Sequence, residues 1–200
     1  MMFMEKPAKT KYDIHPLIKR RWSPRAFSDN IVEKEKLQRI FEAARWAPSS
    51  FNQQPWKYIV GVKGSDSYNK IIDTLIEFNR QWAKLAPVLV MVIGKKVDQK
   101  NRPNLTYQYD TGQSVAYLTL QAMHEGLFMH QMGGFKPSKA SEYFSIDDEH
   151  DPIVVFAIGY IASYDRLPEK YQEIEKAERT RKNFDEFVFE NKFGKKSEIF

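Results

Sequence analysis

Pro48-Ser49-Ser50-Phe51-Asn52-Gln53-Gln54-Pro55-Trp56 is the stretch on which the fold turns. Before it, Leu37, Ile40, Phe41 and Ala44 recur at the spacing of one helix face, which predicts an amphipathic helix over 33–46. Pro48 disfavours helical backbone in the residue ahead of it and ends that helix. After the stretch, Trp56-Lys57-Tyr58-Ile59-Val60-Gly61-Val62 is aromatic and β-branched, which predicts a strand. The loop between them is rich in amides and hydroxyls. It suits the polar edge and apolar face of a flat heteroaromatic ring. It equally suits a capped helix end feeding a strand, and Trp56 is expected in the core.

Working outward, residues 13–21 read as a short first helix, followed by Pro24 and the polar run Ser28-Asp29-Asn30. Ser65 caps a helix carrying Tyr68, Ile71, Ile72, Leu75, Phe78 and Trp82. Pro87 opens the strand VLVMVIG (88–94), whose unbroken apolar run predicts burial on both faces. Residues 98–109 read as a surface loop in which Tyr107 and Tyr109 are candidate covers for a bound ring, and a long helix runs from about Thr111 to Glu125. LFMHQMGGF (127–135) predicts a strand and a glycine turn, and Pro137 sits at the first turn of a helix reaching Phe144. Ile153 to Tyr160 is a third strong strand, and 169–178 a charged helix. The end, FDEFVFENKFGKKSEIF (184–200), is aromatic and alternating, and it would gain most by packing on another chain. Uneven crossovers predict an α+β layered fold with one central sheet and a single domain over 1–200.

Composition removes several function classes. The 200 residues include no cysteine, which excludes disulfides, thiolate metal sites and cysteine nucleophiles together. The start, MMFMEKPAKTKYD, lacks a signal-peptide core, and the longest apolar run, 86–93, is far short of the roughly 20 residues a membrane helix needs. A cytoplasmic protein without a membrane partner is expected. The formal charge is +5, but bases and acids interleave, as in EKEK (33–36) and EKYQEIEKAER (169–179). These read as solvated helix faces rather than the clustered footprint of a nucleic-acid binder. A modest positive balance suits an anionic small molecule. The nine glycines form neither GxGxxG nor a P-loop, and there is no GxSxG. His15, His124, His130 and His150 have no metal-ligand spacing and read as structural or surface residues. No metal and no catalytic side chain are assigned; if the chain is an enzyme, a cofactor carries the reactivity.

Three further segments have chemistry of their own. Arg20-Arg21-Trp22-Ser23-Pro24-Arg25-Ala26-Phe27 puts guanidinium forks and a hydroxyl beside a turn, which suits phosphate oxygens or a plain solvated surface. Met132-Gly133-Gly134-Phe135 lets backbone N–H groups approach a flat ligand, or simply starts a helix. Arg179-Thr180-Arg181-Lys182 lies at a helix end, where basic residues complement the helix dipole or bind phosphate.

Taken in order, these segments resemble the nitroreductase family of FMN enzymes. Arg21, Ser23, Arg25 and Phe27 match its Arg-x-Ser-x-Arg/Lys-x-Phe pattern, with Trp22 where many members carry a polar or basic residue. PSSFNQQPW matches its P-S-S-x-N-x-Q-P-W signature, Asn79 its flavin-ring amide, Gly133-Gly134-Phe135 its glycine turn, and Arg179 and Arg181 its C-terminal basic pair. The resemblance spans about residues 14–182. It implies the family's α+β fold, a central mainly antiparallel sheet flanked by helices, with residues 183–200 exchanged as a tail in a homodimer. It implies FMN held by Arg21, Trp22, Ser23, Arg25, Asn79, Met132, Gly133, Gly134, Arg179 and Arg181 of one chain, and by Pro48, Ser49, Ser50 and Asn52 of the other. NADH or NADPH would donate hydride to the flavin, and a small acceptor such as a nitroaromatic or quinone would then collect it in a ping-pong cycle. A flavin carrier without turnover, a flavin-fragmenting relative and a basic anion-binding module are the alternatives.

Overall fold

A computed structural model describes residues 5–200; the reading of the first four residues lies outside the described part. The expected elements form, with shifts that have local causes. Helix α1 (Pro16–Arg20) is shorter than 13–21, because Pro16 occupies its first turn and His15 Nδ1 accepts the Leu17 N–H at 3.2 Å. Helix α2 (Lys34–Arg45) and strand β1 (Trp56–Val62) flank the PSSFNQQP loop as predicted, and Trp56 is buried.

The single helix expected after Ser65 is two. Helix α3 (Asp66–Thr74) and helix α4 (Glu77–Ala83) are separated by extended backbone at Leu75 and Ile76. Neither glycine nor proline marks this break. Tertiary pairing makes it: Leu75 bridges Phe135, Ile76 N–H donates to Gly134 O at 3.2 Å, and Lys136 N–H donates to Thr74 O at 2.8 Å. Strand β2 (Val88–Lys95) follows, and helix α5 (Tyr107–His124) starts four residues before the expected Thr111. Asn104 Oδ1 accepts the Thr106 N–H at 3.1 Å and so turns the chain early enough for Tyr107 to begin the helix. Strand β3 (Phe128–Met132), helix α6 (Pro137–Phe144), strand β4 (His150–Gly159) and helix α7 (Glu169–Lys176) complete the core. Strand β4 begins three residues before Ile153 because Pro152 sits at a register shift opposite Val92/Ile93, where a missing N–H does little harm.

The sheet has the order β1-β2-β4-β3, and every neighbouring pair is antiparallel. Strand β2 is buried on both faces, as its composition demands. Val88, Val90 and Val92 pack with Phe156, Ile158, Val115 and Leu118 in one layer, together with Ile40 of α2. Leu89, Met91 and Ile93 pack in the other layer with Trp82, Ile71, Met132 and Tyr171. The two-residue period of the strand thus divides the core between two sets of helices. Beyond β4, Phe27 bridges Ile161, and Ser28 N–H donates to Tyr160 O at 2.9 Å. This pairing anchors the Arg21–Phe27 segment against the sheet end.

The tail folds on itself. Phe184 stacks on Phe200 at 4.5 Å and meets Tyr12 at 5.6 Å, while Phe189 bridges Lys196. Phe187, Phe193, Ile199 and Phe200 remain exposed in the single chain. Among the described residues, no helix is long and apolar enough to cross a membrane.

Candidate cofactor site

The two ends of the chain meet at one cleft of about 200 Å³. Arg21, Ser23 and Arg25 line it from the N-terminal loop, and Arg179 and Arg181 from the segment after α7. Arg21 Nη1 donates to Ser23 Oγ at 3.3 Å, which holds the guanidinium beside the hydroxyl. Arg179 Nη1 donates to the carbonyls of Lys6 (2.5 Å) and Lys19 (3.2 Å). Helix α7 already ends at Lys176, so Arg179 does not serve the helix dipole; backbone carbonyls fix it at the cleft. Arg181 is more exposed and donates to Thr180 O at 2.7 Å. Burial, then repulsion from Arg179 and Arg181, lowers the Arg21 pKa from its usual value. Burial and Arg181 lower that of Arg179. Among the described residues no carboxylate pairs with Arg21, Arg179 or Arg181, so these cations repel one another across the cleft.

Sequence reasoning missed Glu175. It sat within a charged run read as solvated, yet it is 1% exposed. Its Oε1 accepts the backbone N–H of Arg25 at 2.7 Å and of Ala26 at 3.2 Å, and its Oε2 faces Arg25 Nη1 at 3.5 Å. Helix α7 thereby holds the Arg21–Phe27 loop in place. Tyr171, one turn earlier on the same face, is fully buried. That i, i+4 pairing was the available signal.

His130 supports the same loop from β3. Its Nδ1 lies 2.9 Å from Pro24 O, so the ring donates there and Nδ1 carries the proton. The ring lies 4.4 Å from that of Trp82, and the Arg25 guanidinium lies 5.9 Å from the Trp82 ring on its own account. Burial, reinforced by Arg25, pushes the His130 pKa down to about 4 from 6.5. Between these values the unfolded chain binds the extra proton, so stability falls as pH drops from about 6.5 toward about 4, by about 3 kcal/mol. Urea unfolding at pH 7.5 and 4.5 should show this loss, and His130→Gln should lack it. An equal loss in both proteins would place the acid sensitivity elsewhere.

Two of the expected contact residues have side chains that pack into the core. The Trp22 indole packs edge-on against Phe128 at 6.4 Å, and Met132 lies in the core, so both are set in place by packing. Trp22 nevertheless lines the cleft, and its Nε1 and Arg25 Nε are buried without a partner among the described residues. Buried donors of this kind normally find an acceptor.

Asn79, buried on α4, donates from Nδ2 to Gly134 O at 3.0 Å. A Cβ on Gly134 would lie 2.6 Å from Ile76 Cδ1 and 2.7 Å from Asn79 Nδ2, so the close approach requires glycine there. At Gly133 a Cβ would meet nothing within 4 Å, so this face of the turn is open. The break between α3 and α4 is what brings Asn79 and the glycine turn together.

Pro48, Ser49, Ser50 and Asn52 line no part of the arginine cleft. Their loop is built around buried Asp110, whose Oδ2 accepts Ser50 N–H at 3.1 Å and the Thr106 hydroxyl at 3.0 Å. Ser49 Oγ accepts the Gln54 N–H at 3.0 Å. Phe51, Asn52 and Gln54 all have positive φ, at 49°, 54° and 48°, each costing roughly 1 kcal/mol without glycine. Phe51 is 95% exposed, and Trp46, Leu105 and Tyr109 are exposed large apolar residues too. Tyr107 is not a free ring cover, because its hydroxyl donates to Asp151 Oδ2 at 2.6 Å.

The sequence profile of the nitroreductase family matches residues 18–88. A solved structure described as an oxidoreductase containing FMN is 32% identical, covers 98% of this chain and 100% of its own, and superposes with a TM-score of 0.88. The chain belongs to the nitroreductase family. A second member, the nitroreductase family protein from Clostridium difficile 630, is 27% identical over 88% of this chain and 97% of its own, with a TM-score of 0.69. A Streptomyces coelicolor protein provisionally named NADH dehydrogenase/NAD(P)H nitroreductase is 27% identical over 72% of this chain and 82% of its own. The family match runs through the Arg21–Phe27 segment, the PSSFNQQPW loop and Asn79, whereas Glu175, Arg179 and Arg181 lie beyond it.

Proposed function

We propose that this nitroreductase-family protein is an FMN-dependent oxidoreductase that takes reducing equivalents from NADH or NADPH and delivers them to a small acceptor such as a nitroaromatic or quinone. The observation that carries the reading is the convergence of Arg21, Arg179 and Arg181, from opposite ends of the chain, on one cleft. The donor set fits the phosphate of FMN: clustered guanidiniums, the Ser23 hydroxyl, and two orphaned buried donors at Trp22 and Arg25. The open face of Gly133 and the Asn79 amide fit the flat ring.

FMN, when bound, supplies two-electron redox chemistry that no side chain here offers. The chain's own residues hold and orient it. Arg21, Arg179 and Arg181 neutralise the phosphate, Glu175 and His130 keep the Arg21–Arg25 loop in shape, and Asn79 fixes the glycine turn. No side-chain acid or base is assigned.

The site is shared between two copies in this reading, with Pro48, Ser49, Ser50 and Asn52 supplied by the second. Support comes from their separation from the cleft, from exposed Trp46, Phe51, Leu105 and Tyr109, and from the apolar surface of the tail. The tail would then pack on the partner.

The test is the visible spectrum of the purified protein, recorded anaerobically before and after NADH and then NADPH. A flavin spectrum that bleaches with either donor, in a sample that sediments as a dimer, is the expected result. Flavin that resists both donors would make the chain a carrier. A protein that takes up no FMN would reopen the basic anion-binding reading.

A further inference from the structure

We infer that Lys6 is a phosphate-binding residue of the cleft, delivered by an N-terminal strap that the family match over 18–88 does not include. This rests on the reading of the cleft as the flavin-phosphate site. Lys6 brings this segment to the cleft, and hydrogen bonds tie the segment to α1 and to the end of α7. Ala8 N–H donates to Lys19 O at 2.8 Å. Lys6 O accepts from Arg179 Nη1 at 2.5 Å. Lys6 Nζ donates to Glu175 O at 2.6 Å and to Ala177 O.

Those two carbonyls lie at the C-terminal end of α7, where unpaired carbonyls and the dipole attract a cation. An ammonium has three N–H donors, and here two are taken. Lys6 lines the arginine cleft, so the third is available to an anion in it. Its Nζ also sits 4.9 Å from the centroid of the Trp22 ring, which leaves little freedom to swing out to solvent.

The strap also orients Arg179. Both Nη1 protons go to the carbonyls of Lys6 and Lys19, so Nε and Nη2 carry the donors left for a ligand. Lys6 therefore acts twice, directly through its ammonium and indirectly through its carbonyl. Truncating its side chain removes only the first, because the carbonyl stays. Burial lowers the Lys6 pKa, opposed by Glu175 and helped by Arg179 and Arg25, and an arriving phosphate would offset the repulsion from the two arginines.

The test uses full-length apo protein titrated with FMN and, separately, riboflavin, which has the ring but no phosphate. Flavin fluorescence quenching reads both affinities. Lys6→Met should weaken FMN roughly 10- to 100-fold, the worth of one charge-assisted hydrogen bond, and leave riboflavin unchanged. Lys34→Met, on the exposed side of α2, should change neither. Equal losses for FMN and riboflavin in Lys6→Met would mean that Lys6 only shapes the fold, and would overturn the proposal. An unchanged FMN affinity would overturn it too. Wild-type protein that binds FMN no better than riboflavin would instead refute the cleft as a phosphate site, and this inference with it.

Discussion

Arg21→Ala combined with Arg181→Ala should weaken FMN binding on the order of a thousandfold while leaving the apo protein as stable as before, or slightly more so. The two halves of this expectation have different origins. Each guanidinium contributes charge-assisted hydrogen bonds to a phosphate, and two such losses compound to roughly that factor. In the chain alone, the same groups repel. The Arg21 pKa is lowered by burial and by both Arg179 and Arg181, which means that the folded state resists its charge. Removing two members of the cluster relieves that strain. Among the described residues neither has a carboxylate partner whose loss would offset the gain, since Arg21 bonds Ser23 and Arg181 bonds the Thr180 carbonyl. Flavin titration and thermal unfolding of the apo variant check the two halves. A variant that still purifies fully yellow would remove these arginines from the site.

Glu175→Ala should have the larger effect on stability, about 3 kcal/mol, near the low end for breaking a buried charge pair. Three donors lose their acceptor at once: two backbone N–H groups and the Arg25 guanidinium. In a chain of this size that lowers Tm by roughly 6–12 °C. Glu175→Gln should cost less. Both backbone bonds end on Oε1, which a glutamine retains, and only the Arg25 contact turns unfavourable. A calorimetric Tm for each variant, in that order, is the check. Equal losses would mean that the charge matters more than the backbone bonds. No loss in either would mean that the Arg21–Phe27 loop is held by its sheet contacts alone.

Much of this site was legible because its chemistry is local in sequence. The PSSFNQQPW loop announces itself by proline brackets and a change of period, from helical spacing before it to strand composition after it. Arg21, Ser23 and Arg25 stand within five residues of one another. One central sheet in an α+β fold followed from three apolar runs with uneven crossovers between them, while its antiparallel order came only with the family resemblance. What stayed hidden depends on contacts far along the chain. Apart from its i, i+4 spacing from Tyr171, Glu175 looks like any acid in EKYQEIEKAER until the helix is docked and one face turns inward. His130 read only as a structural or surface histidine, and nothing local revealed Pro24 as its partner. The break at Leu75–Ile76 has no breaker residue; pairing with Gly134 and Phe135 overrides helix propensity there. Lys6 gave no signal at all, because its role exists only once Arg179 and the end of α7 arrive beside it.

The most direct measurement on the central claim, that the arginine cleft receives the flavin's phosphate, is the equilibrium affinity of wild-type apo protein for FMN set against riboflavin. With the guanidiniums of Arg21, Arg179 and Arg181 on the phosphate, FMN should bind at least about a hundredfold more tightly. Equal affinities would mean that no group in the cleft meets the phosphate, and would contradict the account.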